Sequence, residues 1–282
     1  MSVKAGLLAD VLLGEPPRRM HPVVAFGGMM RAVEQRLYRD ARRAGATYTA
    51  IGLAVGLGNG LLIPTSLATY LAVAARSLWD EAAGVESALH DGDLSGARQR
   101  LPALVGRDPS DLDEKEVARA VVESVAENTV DAIVAPALWA AFAGGPGALG
   151  YRAVNTLDAM VGHHSKRYER FGWASARLDD GLNWVPARAT AALVAAVRPG
   201  TAPEIWRAVR RQAPSHPSPN AGVAEAAFAV ALGLRLGGEN RYGDRIEVRP
   251  ALGTGRPPEA ADIPRAISLS KQVTLALATV VP

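Results

Sequence analysis

The stretch "AGATYTAIGLAVGLGNGLLIPTSLATYLAVAA", Ala44 to Ala75, carries no formally charged residue. A run of about 20 apolar residues can cross a bilayer, so this one is long enough. Its middle, "GLGNGLLIP" (Gly56 to Pro64), is poor material for a continuous helix, because glycine and proline both weaken one. Two arrangements fit the pattern: a single kinked span, or a short hairpin of two helices turning near Gly58-Asn59-Gly60. The flanks separate them. Arg36, Arg39, Arg42 and Arg43 precede the run, while Arg76, Asp80 and Glu81 follow it. Cytoplasmic flanks carry the excess of Arg and Lys, which places the N-terminal side in the cytoplasm. A single span would export everything after Arg76, whereas a hairpin keeps the remainder where nucleotides are. The membrane hairpin is preferred, with a buried hairpin of a soluble protein as the alternative.

The surrounding chain points the same way. Of 282 residues, 49% are hydrophobic, 21% charged and 5% aromatic, so a sizeable core is available and disorder is excluded. The apolar content is mainly Ala, Leu and Val, which favours helices. Other apolar runs are weaker spans: Ala132 to Tyr151 is broken by "GGPG", and Ala189–Val197, Ala226–Leu234 and Gln272–Val281 are too short to cross alone. Helices are predicted over Ser77–Leu104 with a turn at "HDGDLSG", over Glu114–Phe142 with a kink at Pro136, and over Ala148–Met160. Further helices are expected at Ser175–Trp184, Pro186–Val197 and Val223–Leu236. Asp111 or Asp113 can cap the helix that starts at Glu114. Loops are expected at Gly14–Val23, Ala213–Gly222 and Arg249–Pro264. With no βαβ alternation and no clustered β-branched residues, the fold class is all-α. It is expected to be one domain over 1–282: an integral membrane helical protein with short or broken membrane helices, a hairpin at 44–75, and a helical part at 76–282 around a polar cavity on the cytoplasmic side. The N-terminus lacks the long apolar region and cleavage site of a signal peptide.

The absence of Cys excludes disulfides, thiolate metal sites and a Cys nucleophile. A net charge of +3, with Arg in excess over Lys, suits phosphate-bearing ligands or an anionic membrane face. Basic residues are scattered without aromatic interleaving, so no nucleic acid is expected as a partner.

"AVVESVAENTVDAIVAPALW" (Ala120 to Trp139) sets Glu123, Glu127 and Asp131 at i, i+4, i+8 in mostly apolar surroundings. On an α-helix these acids and Arg119 share one stripe. They repel one another unless cations compensate. Either the stripe is a solvated face partnered by Arg119, or it is a Mg²⁺ site facing a phosphorylated ligand, since Mg²⁺ takes one or two carboxylates plus substrate phosphates. The uncharged flank and the neighbouring Asn128 and Thr129 favour the second. "NTLDAMVG" adds Asn155 and Asp158. "SARLDDGLNWVPAR" adds Asp179, Asp180 and Asn183 between Arg177 and Arg188, and "SHPSPNAGVAEAA" adds His216, Ser218, Asn220 and Glu225. Taken singly, these residues could cap helices or order loops; together with nearby arginines they describe a polar cavity. "VGRDP" offers Arg107 and Asp108 beside a helix start, a sensible phosphate contact. "HHSKRYERFG" supplies His163, His164, Lys166, Arg167 and Arg170, but adjacent histidines are not the i, i+4 pair of a zinc hydrolase. Neither a P-loop nor a nucleophile elbow is present.

In order, "DVLLGEPPRRMHPVVAFG", "GDLSGARQRLPALVGRD", "RAVVESVAENTVDAIVAP", "YRAVNTLDAMVGHHSKRYERFGWASARLDDGLNWVPAR" and "HPSPNAGVAEAAFAVALGLRLGGENRYG" resemble the adenosylcobinamide-phosphate synthases, the CobD/CbiB family of cobalamin biosynthesis. The resemblance runs from Leu8 to the C-terminus, with Glu15, Ala159 and Val223 departing from the usual residues. It implies a multi-pass inner-membrane protein with its active site facing the cytoplasm. It also implies an ATP- and Mg²⁺-dependent ligase joining adenosylcobyric acid to (R)-1-amino-2-propanol O-phosphate or a related amino alcohol phosphate, working beside other membrane-bound enzymes of cobalamin assembly. On that basis Glu123, Glu127, Asp131, Asp179 and Asp180 are expected to hold Mg²⁺ on the nucleotide. Arg107, Asn128, Asn155, Asn183, His216 and Asn220 are expected to bind substrate or phosphate. Arg177, Arg188, Asp158 and Glu225 are expected to be catalytic, with Asp158 or Glu225 taking the ammonium proton. Two other classes share part of the pattern: an intramembrane prenyltransferase holding Mg²⁺-diphosphate, and a non-enzymatic AmpE-like membrane sensor.

Overall fold

Local chemistry sets most of the element ends. Ser2 accepts the Ala5 N–H and opens α1 (Val3–Leu13), which Gly14 closes at a φ of 74°. The computed structural model describes residues 2–17, 21–106, 108–163, 165–242 and 245–282. α2 (Pro22–Leu37) starts on a proline, with His21 Nδ1 accepting the Val23 N–H. α3 (Arg42–Leu62) and α4 (Thr65–Ala72) are separated at Ile63-Pro64. α5 (Ala75–His90) turns at Asp91-Gly92 into α6 (Leu94–Arg100), capped by Asp93 on the Gly96 N–H. α7 (Glu114–Asn128) opens with a reciprocal capping box between Asp113 and Glu116. Residues Thr129–Val134 then wind as a π-helix before α8 (Ala135–Leu157), and a second π turn follows at Asp158–Gly162. α9 (Trp173–Val197), α10 (Ala202–Arg211) and α11 (Ala221–Leu232) come next. Strands β1 (Leu236–Tyr242) and β2 (Arg245–Leu252) form an antiparallel hairpin, and α12 (Asp262–Val280) closes the chain.

The chain divides into two compact units: Met1–Arg76 with Asp131–Trp184 and Val280–Pro282, and Ser77–Val130 with Val185–Thr279. In the first, α3 packs along α8, and α1 and α4 are seated beside them. Gly52, Gly56 and Gly60 form the contact stripe of α3. A Cβ on Gly56 would lie 2.7 Å from both Ala153 Cβ and the Leu149 carbonyl, and one on Gly60 would strike the Gly145 carbonyl. Met30, Tyr48, Leu157, Val161 and Phe171 make a buried cluster in the same unit. Asp10, fully buried, accepts the N–H groups of Ala75 and Arg76 at the start of α5.

The second unit is built on α11, which is buried along most of its length and packs against α7, α10 and the hairpin. Gly233, at a left-handed φ of 69°, ends it. Ser270 on α12 takes hydrogen bonds from Trp79 Nε1 and Thr129 Oγ1. Burial works to raise the Asp262 carboxyl, but hydrogen bonds from Arg256, Arg265 and the Glu259 backbone outweigh it and hold the group below the usual carboxylate range.

Several expectations need correction. The glycines at 56–60 do not turn the chain; Gly56 and Gly60 let α3 approach α8, and close packing there offsets a helix cost of about 1 kcal/mol each. The break lies instead at Ile63-Pro64. By length and composition, the helical stretch able to cross a membrane among the described residues is Glu114–Gly162. Pro136 follows the π-helical turn directly, and the Asp131 and Ala132 carbonyls that its missing N–H leaves free accept the Tyr151 hydroxyl and the Ala74 N–H instead. The kink falls at Ala143-Gly144, where Gly144 takes a φ of 64°. Pro186 lies inside one continuous α9 instead of dividing two helices. The fold is mostly helical and not strictly all-α: the β hairpin replaces the end of the predicted 223–236 helix and the start of the predicted 249–264 loop.

Candidate active site

In the first unit the polar residues converge around Asp179. The π turn after α7 interrupts the four-residue ladder, so the predicted α-helical stripe from Arg119 holds only as far as Asn128. The buried Tyr151 hydroxyl donates to Asn183 Oδ1 at 2.8 Å, with the Asp131 carbonyl a second acceptor at 3.2 Å. Asn183, also buried and one turn beyond Asp179 on α9, donates its amide to Asp179 Oδ2 at 3.0 Å. Asn155 on α8 donates to Asp179 Oδ1 at 3.4 Å. Both carboxylate oxygens therefore accept from side-chain amides, which sets the direction in which the group points. Beside it, burial raises the Asp180 carboxyl above its usual range, against the opposing charge of Arg177. Asp158 opens the second π turn, where Gly162 leaves room for its Oδ1. Asp158 and Asp131 are half-buried, and Arg177 is exposed.

The second unit holds a deeper group. Arg188 Nη1 donates to Asn220 Oδ1 at 2.8 Å, and burial lowers the Arg188 pKa. Asn220 stands at the start of α11, five residues before Glu225. His216 Nδ1 lies 3.1 Å from both the N–H and the carbonyl oxygen of Ser218, and its Nε2 lies 3.6 Å from Glu225 Oε1. Gly222 makes this possible, because a Cβ there would come within 2.5 Å of His216 Cβ. Arg249 Nη1 approaches Glu225 Oε1 at 3.5 Å from β2. Glu225 is wholly shielded from solvent, and a charge so placed needs partners of this kind.

Glu123 and Glu127 also lie in the second unit. Glu123 is buried and accepts the Gly237 N–H at 2.9 Å, with Arg119 Nη1 at 3.9 Å. Arg119 itself donates to the carbonyls of Gly237 and Glu239, so the partnership of Arg119 and Glu123 is directed at the hairpin. Glu127 is half-buried on α7. Asn128 donates its amide to the Ser124 carbonyl and hydroxyl of its own helix. Arg107 and His164 lie outside the described residues. Among the described residues, no three His, Asp or Glu side chains form a ready-made metal cage. A Mg²⁺ that arrives with a nucleotide needs only one or two carboxylates, and the amide-fixed Asp179 beside Asp180 fits that requirement.

Over residues 3–270 the chain matches the family model described as CobD/Cbib protein. The chain belongs to the CobD/CbiB family. Among CobD/CbiB relatives, the cobalamin biosynthesis protein CobD of Mycobacterium tuberculosis is 49% identical over 97% of this chain and 91% of its own length. Those of Chromobacterium violaceum and Rhodobacter capsulatus are 46% and 44% identical, over 93% and 96% of this chain and 89% and 93% of their own lengths. No solved structure matches. One residue in each of the two clusters carried no sequence signal. Tyr151 lies in an uncharged apolar run, and Arg249 in a segment that reads as loop.

Proposed function

We propose that this chain acts in cobalamin biosynthesis as an ATP- and Mg²⁺-dependent amide ligase, joining adenosylcobyric acid to an amino alcohol phosphate to give adenosylcobinamide phosphate. Membership of the CobD/CbiB family supports the pathway. The observation that best supports the chemistry is Asp179, its two oxygens held by Asn155 and Asn183 in a half-buried setting. A carboxylate does not react with an amine at neutral pH, so it must first be activated. The terminal phosphoryl group of ATP passes to a corrin carboxylate oxygen, ADP leaves, and an acyl phosphate forms. The amine nitrogen then attacks the acyl carbon, the carbon–oxygen bond to phosphate breaks, and phosphate departs with the new amide left behind.

Such chemistry is mostly positioning and charge neutralisation. Mg²⁺, when bound, would offset phosphate charge during phosphoryl transfer, and Asp179 and Asp180 are the residues best suited to hold it, with Glu123, Glu127 and Asp131 as the further acidic candidates. Arg177, Arg188 and Arg107 would grip phosphate oxygens in the bidentate manner that guanidinium allows. Asn128, Asn155, Asn183, His216 and Asn220 would orient substrate oxygens. Glu225, shielded between His216 and Arg249, or Asp158 would receive the ammonium proton. The reading places the protein in the inner membrane as a multi-pass helical protein with this chemistry on the cytoplasmic side.

The test is ATP-dependent consumption of adenosylcobyric acid by the purified chain with amino alcohol phosphate. Wild-type protein should form the amide, and Asp179→Asn should lose on the order of 100-fold in turnover, the scale for one well-placed electrostatic group. Wild-type protein that consumes no ATP would favour an AmpE-like sensor.

A further inference from the structure

We propose that the outer face of α10 is a binding site for the phosphate headgroup of an anionic phospholipid. The inference rests on the membrane reading of the chain and on nothing in the catalytic assignment. α10 reads "APEIWRAVRR", and its two faces are sharply divided. Ile205 and Ala208 are buried on the side that meets α11, and Gln212, just past the helix end, accepts the Gly253 N–H at 2.7 Å. Pro203, Trp206, Arg207, Arg210 and Arg211 recur at three- and four-residue intervals on the other side, where they line an open surface cavity of about 650 Å³.

Three guanidinium groups stand on that face. Glu204 approaches Arg207 at 4.0 Å, but both are more than half exposed, a geometry worth little. Arg210 and Arg211 make no ion pair among the described residues. The excess of positive charge therefore faces outward unspent. Guanidinium groups bind phosphate oxygens through parallel N–H donors, and an indole is at home at the level of lipid headgroups. Because the apolar side of α10 is already occupied by α11, this helix does not sink into a bilayer as a free amphipathic helix would. It instead presents charge to the surface, with Trp206 at the edge. An open, shallow, cationic face with one aromatic side chain suits a headgroup in a planar array better than an enclosed soluble phosphate.

The test uses the full chain in neutral detergent, observed by native mass spectrometry with phosphatidylglycerol, phosphatidylcholine or inorganic phosphate added. Wild-type protein should retain phosphatidylglycerol in preference to phosphatidylcholine, and retention should fall with salt. The combined Arg207→Gln, Arg210→Gln, Arg211→Gln variant should bind phosphatidylglycerol on the order of 100-fold more weakly, at the scale of three cations facing an anionic surface. Trp206→Phe should weaken it less, and ligase turnover in detergent should be unchanged in both. Undiminished phosphatidylglycerol binding by the triple variant, or displacement of the lipid by equimolar inorganic phosphate, overturns the proposal. Extraction of membranes with alkaline carbonate tests the membrane reading separately: protein that stays with the bilayer while the triple variant still binds normally refutes the α10 site alone, and protein released by carbonate refutes the membrane reading and the α10 site with it.

Discussion

The carboxylate of Glu123 accepts the backbone N–H of Gly237 at 2.9 Å, tying the middle of α7 to the first residues of the β hairpin. Arg119, one turn earlier, donates to the carbonyls of Gly237 and Glu239 just beyond that bond. An acid from the motif that dominates the sequence thus anchors an element that the sequence did not announce. Glu123→Ala removes the acceptor and leaves a partly buried N–H without it, at about 1 kcal/mol. Amide hydrogen exchange at residues 237–239 should accelerate accordingly, while Glu123→Gln, which keeps an acceptor oxygen, should protect them nearly as well as wild type. Equal exchange in Glu123→Ala and wild type would show that the hairpin is held by something else.

Asn183 is the hinge of the Asp179 arrangement, since it both receives the Tyr151 hydroxyl and donates to Asp179. Asn183→Leu should lower stability by about 1 kcal/mol, because the Tyr151 hydroxyl keeps only the longer bond to the Asp131 carbonyl. It should also reduce amide formation more than Tyr151→Phe does, because only the first substitution releases the carboxylate. Turnover equal in the two variants would mean that Asn183 acts through Tyr151 alone.

Two glycines of α3 should respond in opposite directions. Gly56→Leu forces a side chain against Ala153 and the Leu149 carbonyl, and overpacking of this kind costs about 1–3 kcal/mol. Gly58 has no atom within 4 Å of where its Cβ would stand, so Gly58→Ala should stabilise the helix by up to about 1 kcal/mol. Thermal unfolding in detergent distinguishes the two, and destabilisation by both would show that α3 does turn at this point.

These glycines show what the sequence could and could not convey. A run such as Gly56–Gly60 weakens an isolated helix, and only the partner backbone of α8 makes it an asset; the partner is not visible in one segment. Features whose causes are local were legible: Asp113 as one of two capping candidates, the "HDGDLSG" turn and the Pro-rich approach to α11. The hairpin was not. Its glycines at 237 and 238 take positive φ beside a bulge, which a propensity scale counts against a strand. The polar motifs supplied Asp179 with Asn155 and Asn183, and Arg188 with Asn220, because amides and acids among apolar residues stand out. Tyr151 and Arg249 complete those clusters across long sequence distances and had no local mark.

Asp10 gives a pH dependence. Burial, opposed by the backbone N–H groups of Arg76 and Ala75, raises its pKa from the ordinary 3.8 to about 6. The fold therefore prefers the protonated form. That contribution is fully present below 3.8 and is lost as pH rises through about 6, a change on the order of 3 kcal/mol. Asp10→Asn keeps an acceptor for the two N–H groups and does not ionise. Its unfolding free energy should stay flat between pH 4 and pH 7 relative to the falling wild type. Parallel curves for the two proteins would remove Asp10 as the source.

The most direct test of the proposed chemistry is the fate of one oxygen atom. Adenosylcobyric acid labelled with oxygen-18 in the reacting carboxylate would be incubated with ATP, amino alcohol phosphate and the purified chain. Activation by phosphoryl transfer predicts that one labelled oxygen leaves in inorganic phosphate for every amide formed, with ADP as the other product. Label appearing in AMP, or amide formed without any transfer of label to phosphate, would contradict the account.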